Sequence, residues 1–145
     1  MKLAIKKIEY ISVKNVKSWS HLGRNDSINV ENFKSGEFSD ISFTELTASL
    51  EEEWLESSAG EFSQSSLTAT IRTNKDQARR TLSYLLSNKS IFRITDMSGE
   101  KYLIGSIDFI PKMLFKFQVT GMTTSEIQLS ITCKSKIGII LDTCS

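Results

Sequence analysis

One proline, one histidine and two cysteines are all that 145 residues hold of those types. Each scarcity removes a kind of chemistry. The lone histidine, His21 in "SWSHLG", would have to serve any Ser–His or Cys–His pair, and no strong nucleophile signature lies near it. It reads as a solvated loop residue. Cys133 and Cys144 match no zinc spacing, and one histidine cannot complete such a set. Cys133 falls in an alternating apolar run and reads as a small core residue, whereas Cys144, next to last, is expected to be mobile. No stretch approaches the roughly 20 apolar residues of a membrane helix. The opening "MKLAIKKIEYISVK" is charged every few residues and does not read as a signal peptide. Glycine is sparse too, and "MSGEKYLIGS" has the wrong spacing for a nucleotide-phosphate loop. The expectation is a chain that is not an enzyme, with no cofactor, no metal and no membrane contact. It would be made and used in a reducing cytoplasm, or join a particle assembled there.

What is present suits one ordinary domain over residues 1–145, long enough to bury a core. The net charge of +1 conceals blocks. Met1 to Arg24 carries six Lys/Arg against one acid, and Asn25 to Phe62 carries ten acids against one lysine. The remainder has eleven Lys/Arg against six acids. Blocks of this kind bear on assembly and long-range fields more than on fold. No concentrated basic stripe with interleaved aromatics marks a nucleic-acid reader.

Period-two patterning dominates the second half of the chain. In "SEIQLSITCKS", Ile127, Leu129, Ile131 and Cys133 alternate with polar residues, so one face is buried and one wet. Met113, Phe115, Phe117 and Val119 do the same in "PKMLFKFQVTG", as do Leu67, Ala69 and Ile71 in "SSLTATIRT". "IFRITDMSGEKYLIG" reads as a hairpin, with Gly99 free to take a positive φ. One helix is predicted near residues 74–88, with Thr73 as cap, Asp76 in the first turn and Asn88 as stop. Its stripe of Ala78, Leu82, Leu85 and Leu86 would pack on the sheet, with Arg79 and Arg80 facing away. Residues 18–40 read as a long loop with a short strand around Ile28–Phe33, and loops this long are often functional. Trp19 and Phe33 there would pack on their own domain or at an interface.

The acidic stretch "SLEEEWLESSAG", Ser49 to Gly60, admits two structures. As a helix, Leu46, Leu50 and Trp54 share a face, with Ser42 and Glu45 as a capping box. As a strand, Leu50 and Trp54 point inward while Glu51 and Glu53 point out, and Glu52 interrupts the inner face, asking for a bulge or an exposed end. The turn "SSAGE" and the matching strand after it favour a hairpin. The glutamates could supply a carboxylate pair for glycosidic hydrolysis, but a local acidic run is usually a solvated face. The same acids carry no calcium-loop pattern.

From residue 45 onward the order of features resembles that of small neck and tail proteins of tailed bacteriophages and prophages. The matching residues are Gly99, Tyr102, Leu103, Ile104, Gly105 and Ser106 in a hairpin, Thr120 and Gly121 at a strand end, and Lys134 and Ser135 closing the last strand. The basic N-terminus and the loop through Asp40 are not covered. The resemblance implies a tail-tube, terminator, stopper or connector subunit, a small β-sandwich or barrel with a flanking helix.

The fold class expected is mainly β (α+β), an antiparallel sandwich or barrel of about seven strands with one flanking helix at about 74–88. The function expected is a virion structural subunit forming homo-oligomeric rings around the DNA channel, with other neck and tail proteins as partners. DNA would pass nearby without sequence-specific recognition. Candidate channel-wall or inter-subunit contacts are Glu51, Glu53, Glu56, Trp19, Arg79 and Arg80. The alternative is a protein- or glycan-binding sandwich outside a virion, using Trp19, Trp54 and Tyr102, and a third reading is a small hydrolase built on the acidic run.

Overall fold

The computed structural model of the chain describes residues 4–19, 22–23, 26–120 and 124–143. His21, Gly121 and Cys144, singled out above, lie outside the described residues. Among the described residues the chain is mainly β, with two packed sheets and one helix. Its strands are β1 (Ile5–Ser12), β2 (Ser27–Ile28), β3 (Ser39–Ile41), β4 (Ser49–Ser57), β5 (Gly60–Ile71), β6 (Ser90–Asp96), β7 (Lys101–Ile104), β8 (Lys112–Thr120), β9 (Thr124–Ser135) and β10 (Ile140–Asp142). Helix α1 (Lys75–Ser87) joins β5 to β6. The described residues thus hold ten strands where about seven were expected, because two- and three-residue strands leave no periodic signature.

Six strands form one sheet in the order β2-β10-β7-β6-β1-β3, and four form the other in the order β4-β5-β9-β8. Each sheet keeps two margins, so the architecture is a sandwich and not a closed barrel. Inward residues of the smaller sheet, Leu50, Leu67, Ile127, Leu129 and Ile131, meet Ile8, Phe92, Ile94 and Ile104 of the larger. Leu82 and Leu85 of α1 complete that core, while Leu86 stays half exposed.

The larger sheet is also covered on its far face. There Ile11, Ile91, Leu103 and Ile140 pack under Trp19, Val30 and Val16. This is why "SIFRITD" lacks alternation: β6 is buried on both faces. The segment expected to be a long loop is the cover of this second core. It is tied down by Lys17 N donating to Phe33 O and Ser35 N to Asn15 O. Its strand is the short β2, and Val30–Asn32 forms a 3-10 turn.

The C-terminal segment is paired as far as Thr143, and Cys144, expected to be mobile, lies beyond the described residues. Strand β10 lies between β7 and β2, and Thr143 N donates to Ile28 O at 2.7 Å. The expected Thr73 cap is displaced by one residue. Asn74 starts α1 in the left-handed region (φ 51°) without a side-chain cap bond. Asn tolerates that conformation, which turns the chain from strand to helix within three residues. Asn88 ends α1 as expected, its side chain donating to Tyr84 O at 2.9 Å.

Candidate functional site

The acidic stretch is a strand. β4 pairs with β5 from Ser49↔Thr68 to Ser57↔Gly60 without a break, and the turn Ser58–Ala59 closes it with Gly60 at φ 110°. No bulge accommodates Glu52. Its carboxylate is met instead by donors, Ser63 Oγ at 3.0 Å, the backbone N of Ile139 at 2.7 Å and Trp54 Nε1 at 3.2 Å. Gly138 sits against this pair, where an added Cβ would approach both Glu52 Oε2 and the Trp54 ring to 2.8 Å. Glu52 and Trp54 therefore clamp the loop between β9 and β10 to the margin of the smaller sheet. Trp54 shares the inward face with the buried Leu50 yet remains 38 % exposed.

The register sorts the charges of the smaller sheet. Its solvent face carries cross-strand rows Glu53–Gln64–Lys134, Glu51–Ser66–Thr132–Lys112 and Ser49–Thr68–Ser130–Leu114, followed by Thr70–Gln128–Lys116. Hydroxyls and amides fill the middle, as in the contact between Ser49 Oγ and Thr68 Oγ1 at 3.1 Å. Acid stands at one margin and base at the other. Strand β4 holds Glu51, Glu52, Glu53 and Glu56 and no cation, while β8 holds Lys112 and Lys116 and no acid. Both are nine residues long, and among the described residues each pairs with one neighbour alone. Neither strand is short, bulged or interrupted by proline; each is guarded instead by charge, the glutamates of β4, with Glu52 on its inward face, and the lysines of β8.

The structure brings Glu51 and Glu53 together on the solvent face. Glu56 belongs to the opposite face of β4 and stands across from Glu61 near the hairpin tip. Arg79 and Arg80 are exposed on α1, and the Arg79 guanidinium lies 4.9 Å from the centre of the Phe117 ring. Trp19 is in none of these surfaces. It is fully buried in the second core, edge-on to Phe33 at 6.0 Å, and its contact is with its own domain. Tyr102 is occupied too, its hydroxyl donating to Glu100 at 2.7 Å and reaching Asp96 at 3.2 Å.

Sequence reasoning missed a buried ion cluster on the far face of the larger sheet. Arg93 donates through Nε and Nη2 to both oxygens of Glu9, at 3.0 and 3.2 Å, and through Nη1 to Asp142 at 3.3 Å. The Phe38 ring lies 4.0 Å from the guanidinium. Burial works against the Arg93 charge, but its bonds and attraction to Glu9 and Asp142 prevail and raise its pKa above the ordinary value. The signal available was a lone arginine inside the apolar run "IFRI". This cluster joins β1, β6 and β10 and reads as a structural tie. Asp96 is held below the usual carboxylate range, chiefly by the Ser98 hydroxyl and also by the Glu100 and Ser98 backbone N–H groups and Tyr102. Burial pushes the Cys133 thiol up to about 11, which leaves it protonated and inert near neutrality.

Among the described residues no group of three or more His, Cys, Asp or Glu is placed to hold a metal ion, and no helix is long and apolar enough to cross a membrane. No family model matches the chain, and comparison with curated proteins and with solved structures likewise gives no match.

Proposed function

We propose that this chain is a non-enzymatic, ring-forming structural subunit of a tailed-phage neck or tail, assembled in the bacterial cytoplasm and carried in the virion. The observation that supports this reading most is the pair of long, oppositely charged margins of the four-stranded sheet. β4 and β8 run in opposite directions, because three antiparallel steps separate them. A β4 laid beside the β8 of a second copy therefore continues the sheet in the antiparallel sense. Ladder hydrogen bonds supply affinity, and charge supplies the choice of partner. Two β4 margins repel each other, and so do two β8 margins, whereas the mixed pairing joins opposite signs. A contact between two different surfaces of identical chains is heterologous, and it closes into a ring when the rotation allows.

In such a ring the solvent face of the smaller sheet lines the channel. Glu51 and Glu53 alternate there with hydroxyl rows and the β8 lysines. A wall of mixed sign and short polar groups holds phosphates less than a basic wall would. DNA passes without being read, and other neck or tail proteins meet the ring at its ends.

The test is the mass of the purified protein by light scattering, with electron microscopy of the particles formed. Wild type is expected as a ring of uniform mass. Glu51→Lys/Glu53→Lys is expected to stay monomeric, and adding Lys112→Glu/Lys116→Glu to the same chain to restore the ring. A wild-type chain that remains monomeric at high concentration and takes no place in a particle would overturn the reading and favour a protein- or glycan-binding module.

A further inference from the structure

We propose that the turn at residues 44–47 is the apolar anchor of the contact between copies: Leu46 of one copy covers Phe117 and Val119 of the next, and Glu45 pairs with Arg79. The inference rests on the ring reading above and deepens it, by naming what the charged margins bring into place.

Leu46 is anomalous in two ways. Its φ is 64°, a left-handed conformation that glycine and asparagine adopt readily and a bulky side chain does not. It is also 84 % exposed. Neither the core nor the backbone asks for leucine at this position. Yet the turn is firmly held. Thr44 N donates to Thr70 O at 2.8 Å, and Arg72 N donates to Thr44 Oγ1 at 3.0 Å. Thr70 N donates to Thr47 Oγ1 at 3.1 Å, and that hydroxyl donates to Thr44 O at 2.6 Å. An unfavourable conformation maintained by its surroundings points to a function. A side chain whose backbone is already fixed gives up less freedom on binding.

The sheet places this turn level with a matching surface on its other margin. Thr47 lies beside Thr70, Thr70 pairs with Gln128, and Gln128 pairs with Lys116. The turn and the β8 residues 116–119 therefore share one end of the sheet, at opposite margins. Phe117 and Val119 fall on the inward face by alternation but remain 40 % and 65 % exposed. The Arg79 guanidinium lies over the Phe117 ring. When β4 of a second copy continues the sheet beside β8, two registers set a solvent-face glutamate level with Lys112. Glu51 at that level brings Leu46 to Phe117, and Glu53 brings it to Val119, since antiparallel strands step in opposite directions. Both registers keep the inward faces together. Glu45, also exposed, precedes Leu46 and comes with it to Arg79, whose fork matches a carboxylate. An apolar contact beside an arginine stacked on an aromatic ring is the composition concentrated at the centres of interfaces.

The test is native mass against concentration, by light scattering, for wild type, Leu46→Asn, Glu45→Arg, Arg79→Glu and the combined Glu45→Arg/Arg79→Glu chain. Wild type is expected to form rings. Each single change is expected to raise the concentration at half assembly about tenfold or more, and the combined chain to assemble better than either reversal. In the Glu51→Lys/Glu53→Lys background, which the ring reading makes monomeric, Leu46→Asn is expected to melt no lower than its parent, because asparagine accepts the left-handed conformation. A Leu46→Asn chain that assembles as wild type does would overturn the inference and leave the ring reading standing. So would one that melts well below its parent, since Leu46 would then serve the fold. A combined chain no better than either reversal would overturn the pairing of Glu45 with Arg79. Wild type that forms no rings would overturn the ring reading, and this contact with it.

Discussion

The six-stranded sheet ends in strands of two and three residues, β2 and β3, whereas the four-stranded sheet ends in two strands of nine, β4 and β8. The first sheet is covered on both faces and carries its charge inside, in the Arg93–Glu9–Asp142 cluster. The second has one wet face and carries its charge along its margins. Short margins end a sheet, and long, regular margins that carry charge take another strand only where that charge is met by its opposite. The larger sheet thus holds the subunit together, and in the proposed ring the smaller one is continued by the next copy.

The largest effect expected from breaking this contrast lies in the covered sheet. Arg93→Ala takes the guanidinium from the buried Glu9 and Asp142 carboxylates, which keep Lys7 at 3.6 Å and the Val30 N–H at 3.2 Å, and should cost about 3 kcal/mol in urea unfolding. Next comes the turn that follows β7. Gly105 has φ 91°, and a Cβ there would collide with the Pro111 ring. Gly105→Ala should lose about 1–3 kcal/mol, read as a lower melting temperature.

A smaller effect is expected at the β6–β7 turn, and it depends on pH. Asp96 is depressed below its ordinary 3.8 in the folded chain. Its contribution is therefore complete above the unfolded value and is lost as pH falls through the lower folded value. Asp96→Asn should remove about 1 kcal/mol at neutral pH and flatten the acid limb of the stability curve below pH 3.8, measured by denaturation at a series of pH values. The smallest effect on folding belongs to the open sheet. Glu51→Lys/Glu53→Lys should change monomer stability by no more than about 0.5 kcal/mol while abolishing the ring. A large loss of stability from that variant would mean that the margin serves the fold.

Much of the smaller sheet was legible because its residues alternate. The face of β9 is set by Ile127, Leu129, Ile131 and Cys133, and the turn chemistry around Gly60 and Gly99 placed both hairpins. What was illegible depends on contacts distant in sequence. Glu52 looked like an interruption because its strongest donor, the backbone N of Ile139, lies 87 residues away. The role of Arg93 was not visible because its partners are Glu9 and Asp142, at the two ends of the chain. The cover formed by the described residues between 13 and 38 has no period, since its order comes mainly from Trp19, Val30 and Phe33 packing on a sheet, with a single bridge, Val16–Lys34, within it. The opposite charges of β4 and β8 were visible as blocks, but their places at the two margins follow from the strand order.

The central claim is that β4 of one copy pairs with β8 of the next. It is tested most directly by mixing two charge-reversed chains, Glu51→Lys/Glu53→Lys and Lys112→Glu/Lys116→Glu, and measuring native mass. Each chain alone carries solvent-face charge of one sign at both margins and should remain monomeric. An equimolar mixture pairs acid with base at every seam and should recover the ring mass, with the two chains alternating. A mixture that stays monomeric while wild type forms rings, or single variants that assemble as wild type does, would contradict the pairing.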